Sequence, residues 1–65
     1  MTPRQKKANE KRIEKAYYKV AYGVQINMMD IPRVFTEGEK ALAAGADDAA
    51  LEKVVADFVQ QIRLN

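Results

Sequence analysis

Residues 30–62 read DIPRVFTEGEKALAAGADDAALEKVVADFVQQI, and this stretch decides the fold. Ile31, Val34, Phe35, Gly38, Ala41, Leu42 and Gly45 recur by threes and fours, the spacing of one helical face. Asp30 stands where a cap is needed, and Pro32 falls in the first turn, where its missing N–H breaks no helical bond. Gly45 ends the helix, and Ala46, Asp47 and Asp48 turn the chain. Asp47 or Asp48 caps a further helix on which Leu51, Val54, Val55, Phe58 and Ile62 share one side. Arg63 suits the negative end of that helix's dipole. Two apolar stripes joined by so short a link make an antiparallel helical hairpin. Gly38 costs about 1 kcal/mol against alanine in mid-helix. Because it lies on the apolar face, it predicts the close approach of another helix.

Upstream, Thr2 is a cap candidate, Pro3 occupies the first helical position, and Gln5 follows Thr2 by three, which is a capping-box arrangement. The predicted helix runs over 3–22 and stops at Gly23. Ile13, Ala16, Tyr17, Val20 and Val24 form its apolar side. Before Ile13 that helix offers only Ala8 to a core, so its first turns should project or fray. Residues 24–28 alternate apolar and polar, but no partner strand pattern is visible elsewhere. They read as a connector whose Val24, Ile26 and Met28 plug the core. The expected fold is all-α: a small three-helix domain over 1–65, with a long basic N-terminal helix followed by the antiparallel hairpin, and helices at 3–22, 31–44 and 48–63.

Composition narrows the chemistry. The chain has 65 residues with no cysteine, histidine, serine or tryptophan. Disulfides, thiolate chemistry, Cys-ligated zinc and the commonest general base are thereby excluded. At this length core burial and chain entropy nearly cancel, and natural proteins of this size add disulfides, metals or partner subunits. Oligomerisation is the most available of these. No stretch reads as a signal peptide or a membrane span, so a cytoplasmic, soluble protein with no membrane partner is expected. No cofactor or metal is expected.

The formal net charge of +2 conceals a division. Residues 1–22 hold seven cations against two anions, a net +5, and residues 23–65 hold four cations against seven anions, a net −3. In the basic third Lys7, Lys11 and Lys15 recur every four residues, with Arg4 one turn earlier, and the same row continues to Tyr18 and Tyr22. A positive ridge ending in aromatic rings suits phosphates and stacked bases. The plainer alternative is a solvated face, although such faces usually mix both signs.

Other candidates carry less. Ala41, Gly45, Leu51 and Val54 fit a helix-turn-helix register, but the second helix opens with Asp47 and Asp48 and carries Glu52 and Asp57, which phosphates repel. The pairs Asp47/Asp48 and Glu37/Glu39 do not face each other on a helix, so no acid–base pair converges. The three glycines are too dispersed for a phosphate loop. Met28 and Met29 beside Ile26 and Ile31 could fill a helix junction or, if exposed, form a partner seam.

The sequence therefore points to a small non-enzymatic binding or regulatory module. Arg4, Lys7, Lys11, Lys15 and Lys19 would contact nucleic-acid phosphates or an acidic protein surface, with Tyr18 or Tyr22 stacking. The alternative is protein–protein interaction, including self-association, through Ile26, Met28, Met29 and Phe35, with the basic helix steering docking.

Overall fold

In a computed structural model that describes residues 2–64, three helices follow one another: α1 (Pro3–Val20), α2 (Ile31–Ala43) and α3 (Asp48–Ile62). Met1 and Asn65, the ends of the expected 1–65 domain, lie outside the described residues. Each helix packs against the other two, and no strand is present among the described residues. This is the all-α three-helix architecture expected from the apolar stripes.

The helix ends show why these residues fold locally as they do. Thr2 Oγ1 accepts the Gln5 N–H at 3.2 Å, and Pro3 follows with no donor to strand. The helix stops two residues earlier than its predicted end, with Ala21 as cap. A turn closed by the Val24 N–H on the Ala21 carbonyl, 2.9 Å, places Gly23 at φ +75 and breaks the ladder before Tyr22. At the end of α2 the Ala46 N–H reaches the Ala41 carbonyl and the Gly45 N–H reaches that of Leu42, each at 3.0 Å. These bonds form a Schellman cap, with Gly45 at φ +92 in the left-handed position that favours glycine. Asp47 then caps α3, its Oδ1 accepting the Ala50 N–H at 2.8 Å.

Three local expectations change. Asp30 makes no side-chain cap to α2. Residues Met28–Asp30 form a 3-10 turn that runs straight into the helix, so Asp30 already has helical backbone, at φ −89 and ψ −11. Its side chain therefore leans toward Arg33, 3.7 Å away, and Asn27 caps the turn by accepting the Met29 N–H. Met28 does not plug the core and is 81% exposed, because the turn swings it outward, while Val24 and Ile26 pack against the core. The alternating connector also finds a pairing partner at the far end of the chain. Ile26 bridges antiparallel to Arg63, and the Leu64 N–H donates to the Gln25 carbonyl at 2.8 Å. Consequently α3 ends at Ile62, one residue early, and Arg63 is extended.

The core consists of Ile13, Ala16, Ala21, Val34, Leu51, Val55 and Val59. Val59 is a core residue that the α3 stripe had passed over. The buried sector runs through Leu51, Val55 and Val59, spaced by four, and Phe58 and Ile62 sit half-buried beside it. Gly38 explains the tight crossing of α1 and α2. A Cβ built there would lie 2.7 Å from Ile13 Cγ1, 2.9 Å from Cδ1 and 3.0 Å from Cγ2. Only hydrogen fits, so the helical cost of glycine is the condition for this contact.

Candidate nucleic-acid interface

With Ile13 turned fully inward, the helical period of about 100° per residue puts Arg4, Lys7, Lys11, Lys15 and Tyr18 on the opposite side of α1. All five are exposed. Residues 2–8 are exposed throughout, so the N-terminal turns of α1 stand clear of the core, as the lack of apolar residues there implies. Ala8 leaves room between longer neighbours, and a shallow depression of about 260 Å³ is lined by Arg4, Lys7, Ala8 and Lys11. Three cations around one small residue offer several N–H donors to a single anionic group.

The row is narrow because its two flanks are occupied. On one side Arg12 and Lys19 reach across to α3. Arg12 Nε and Nη2 both donate to Asp48 Oδ1, at 2.9 and 2.8 Å. Lys19 Nζ lies 3.2 Å from Glu52 Oε1. A cleft of about 170 Å³ between these pairs also takes in Lys15, Ala16 and Leu51. On the other side Glu10 and Glu14 lie about 60–100° around the helix from Ile13. Arg4, Lys7, Lys11 and Lys15 form no ion pair among the described residues.

The residues singled out from sequence therefore divide. Arg4, Lys7, Lys11, Lys15 and Tyr18 share one surface, and Tyr22 lies beyond the helix cap, in the turn that ends α1. Tyr22 is 91% exposed and Tyr18 65%. The Tyr18 and Tyr17 rings meet at 61°, with centroids 5.8 Å apart. Lys19 stands off the row, on the α3 flank. Arg12, which sequence reasoning did not assign to a site, is the residue that anchors α1 to α3. The second candidate set also separates. Met28 and Met29 are about four-fifths exposed, whereas Ile26 and Phe35 are half-buried against the core.

A third depression, about 440 Å³, is lined by Arg33, Thr36, Glu37, Phe58, Gln61 and Ile62. Among the described residues no group of three or more Asp or Glu side chains is placed to hold a metal ion. No described helix is long and apolar enough to cross a membrane.

Fold and surface together define a small all-α three-helix domain with a one-row cationic face on its first helix. No family model, curated protein or solved structure matches the chain.

Proposed function

We propose that this protein is a small, non-enzymatic regulatory module of the cytoplasm that binds nucleic acid through its phosphates. Arg4, Lys7, Lys11 and Lys15 are the contact residues. One observation carries the reading: four cations share a solvent face of α1 with no carboxylate partner among the described residues, while Arg12 and Lys19 pair with carboxylates of α3. A row that served solubility alone would be interleaved with acids, as the flanks of the same helix are. At a rise of 1.5 Å per residue, the row from Arg4 to Lys15 extends over about 16 Å, long enough to follow several phosphates. Four contacts imply a logarithmic salt slope of about −3.6 on duplex DNA or about −2.8 on single strands. Affinity should then fall about 50- to 150-fold between 50 and 200 mM salt. Equilibrium binding of labelled RNA and DNA at those two concentrations tests this. Absence of binding at 50 mM salt rejects the proposal.

A second reading is supported by Met28 and Met29, which lie exposed together on the 3-10 turn. Flexible thioethers suit an adaptable protein seam, so self-association or an acidic protein partner steered by the basic row is the competing function. Sedimentation of the purified chain, and a pull-down with and without nuclease, separate the two. Nuclease-sensitive capture supports nucleic acid. A concentration-dependent dimer lost in Met28→Ser/Met29→Ser supports the seam.

A further inference from the structure

Building on the phosphate-binding reading, we infer that the strand held by α1 is single-stranded: its backbone follows the cationic row and its unpaired bases stack on Tyr18 and Tyr22. Two independent features of the molecule lead there.

The first is the width of the positive surface. The row is one side chain across. Asp48 and Glu52 of α3 border it on one side, and Glu10 and Glu14 of α1 border it on the other. A helix entering the major groove brings both flanks against the two phosphate rails of a duplex. Here Glu10 and Glu14 would present carboxylates to one rail, while Asp48 and Glu52 on the other side already pair with Arg12 and Lys19. A single strand has only one backbone to place along the ridge, which meets the α3 border at Lys15, in the cleft with Asp48 and Glu52. The acids that oppose a duplex thereby confine a single strand to the row.

The second is where the aromatic rings stand. Tyr18 completes the row one turn beyond Lys15, and Tyr22 follows in the turn that ends α1. Both rings are largely exposed and take no part in the core, so folding gives no account of them. In a duplex the base faces are already stacked on one another, and side rings have nothing to cover. In a single strand every base presents a free face, and stacking on tyrosine is tolerant of sequence. A cationic track that ends in exposed rings is the arrangement that binds backbone and bases together.

The shared chemistry is a single-stranded polynucleotide, and both RNA and DNA supply it. The experiment compares a fluorescent 12-nucleotide RNA, the DNA of the same sequence, and the 12-base-pair DNA duplex, by anisotropy at 50 mM salt. The proteins are wild type, Tyr18→Ala, Tyr22→Ala and the ring-retaining Tyr18→Phe. Circular dichroism confirms that the exposed substitutions leave the fold intact. The expected result is binding of at least one single strand tenfold or more above the duplex. Each alanine variant should lose about 5- to 150-fold on that strand, and Tyr18→Phe should restore most of it. The RNA and DNA arms identify which strand is held. Equal or tighter binding of the duplex, or single-strand affinity unchanged in both alanine variants, overturns this inference and leaves the phosphate reading standing. Binding to none of the three overturns both.

Discussion

Replacing Gly38 with alanine tests the packing that sets α1 against α2. Helix propensity alone predicts a gain of about 1 kcal/mol, because alanine loses less backbone freedom than glycine in mid-helix. The added methyl would meet three atoms of Ile13 at 2.7 to 3.0 Å, and Ile13 is 0% exposed. A side chain enclosed on all sides cannot swing away, so the helix axes must part. Overpacking of this kind costs about 1–3 kcal/mol, and with three close atoms the upper part of that range applies. The net effect is a loss of about 1–2 kcal/mol. For a chain of this size that lowers Tm by about 4–16 °C. Thermal melts followed by circular dichroism measure it. The contact itself is isolated by repeating Gly38→Ala in an Ile13→Val background, which removes Cδ1 and loosens the site. The penalty should shrink by at least about 0.5 kcal/mol, the coupling expected of touching residues. If Gly38→Ala melts at or above wild type, or costs the same in both backgrounds, the close crossing is wrong.

Other consequences are as direct. Asp47→Ala removes the α3 cap and should cost about 1 kcal/mol, whereas Asp30→Ala, which loses no capping bond, should cost less by the same melts. Val59→Ala removes the equivalent of two buried methylenes and should cost at least about 1.5 kcal/mol, more than Val54→Ala, which lies partly exposed outside the core cluster. Among the lysines, Lys11→Ala should reduce the salt slope of binding by about 0.7–0.9, and Lys19→Ala, already held by Glu52, should leave it nearly unchanged. Met28→Ser/Met29→Ser should leave the stability within about 0.5 kcal/mol of wild type by the same melts, since both side chains are exposed.

Local chemistry was the part of this molecule open to reading from sequence. Thr2, Asp47 and Gly45 act through bonds to residues within five positions, and each did what its type and place imply. The role of Gly38 was visible as well, because its cost and its place on an apolar stripe together demand a neighbour. Longer-range features were hidden. Arg12 meets Asp48 across 36 positions and Lys19 meets Glu52 across 33, so the local row could not reveal which cations the fold consumes. Ile26 pairs with Arg63 through a single bridge, too short to leave an alternating pattern at the chain's end. Val59 and Phe58 are neighbours on one turn of α3. Which of them turns fully inward depends on where α1 lies, and periodicity within α3 does not contain that information. The cationic row itself was readable because it belongs to one helix, and its narrowness was not, because half of its border comes from α3.

The central claim is that the outer face of α1 holds nucleic acid. Its most direct test is a titration of the 15N-labelled protein with a short oligonucleotide, followed by two-dimensional NMR at low salt. Shifts are expected at Arg4, Lys7, Lys11, Lys15, Tyr18 and Tyr22 that vanish as salt rises, with α2 and the buried sector of α3 unmoved. Shifts centred on Met28 and Met29 or on α3, or none at any oligonucleotide excess, would contradict it.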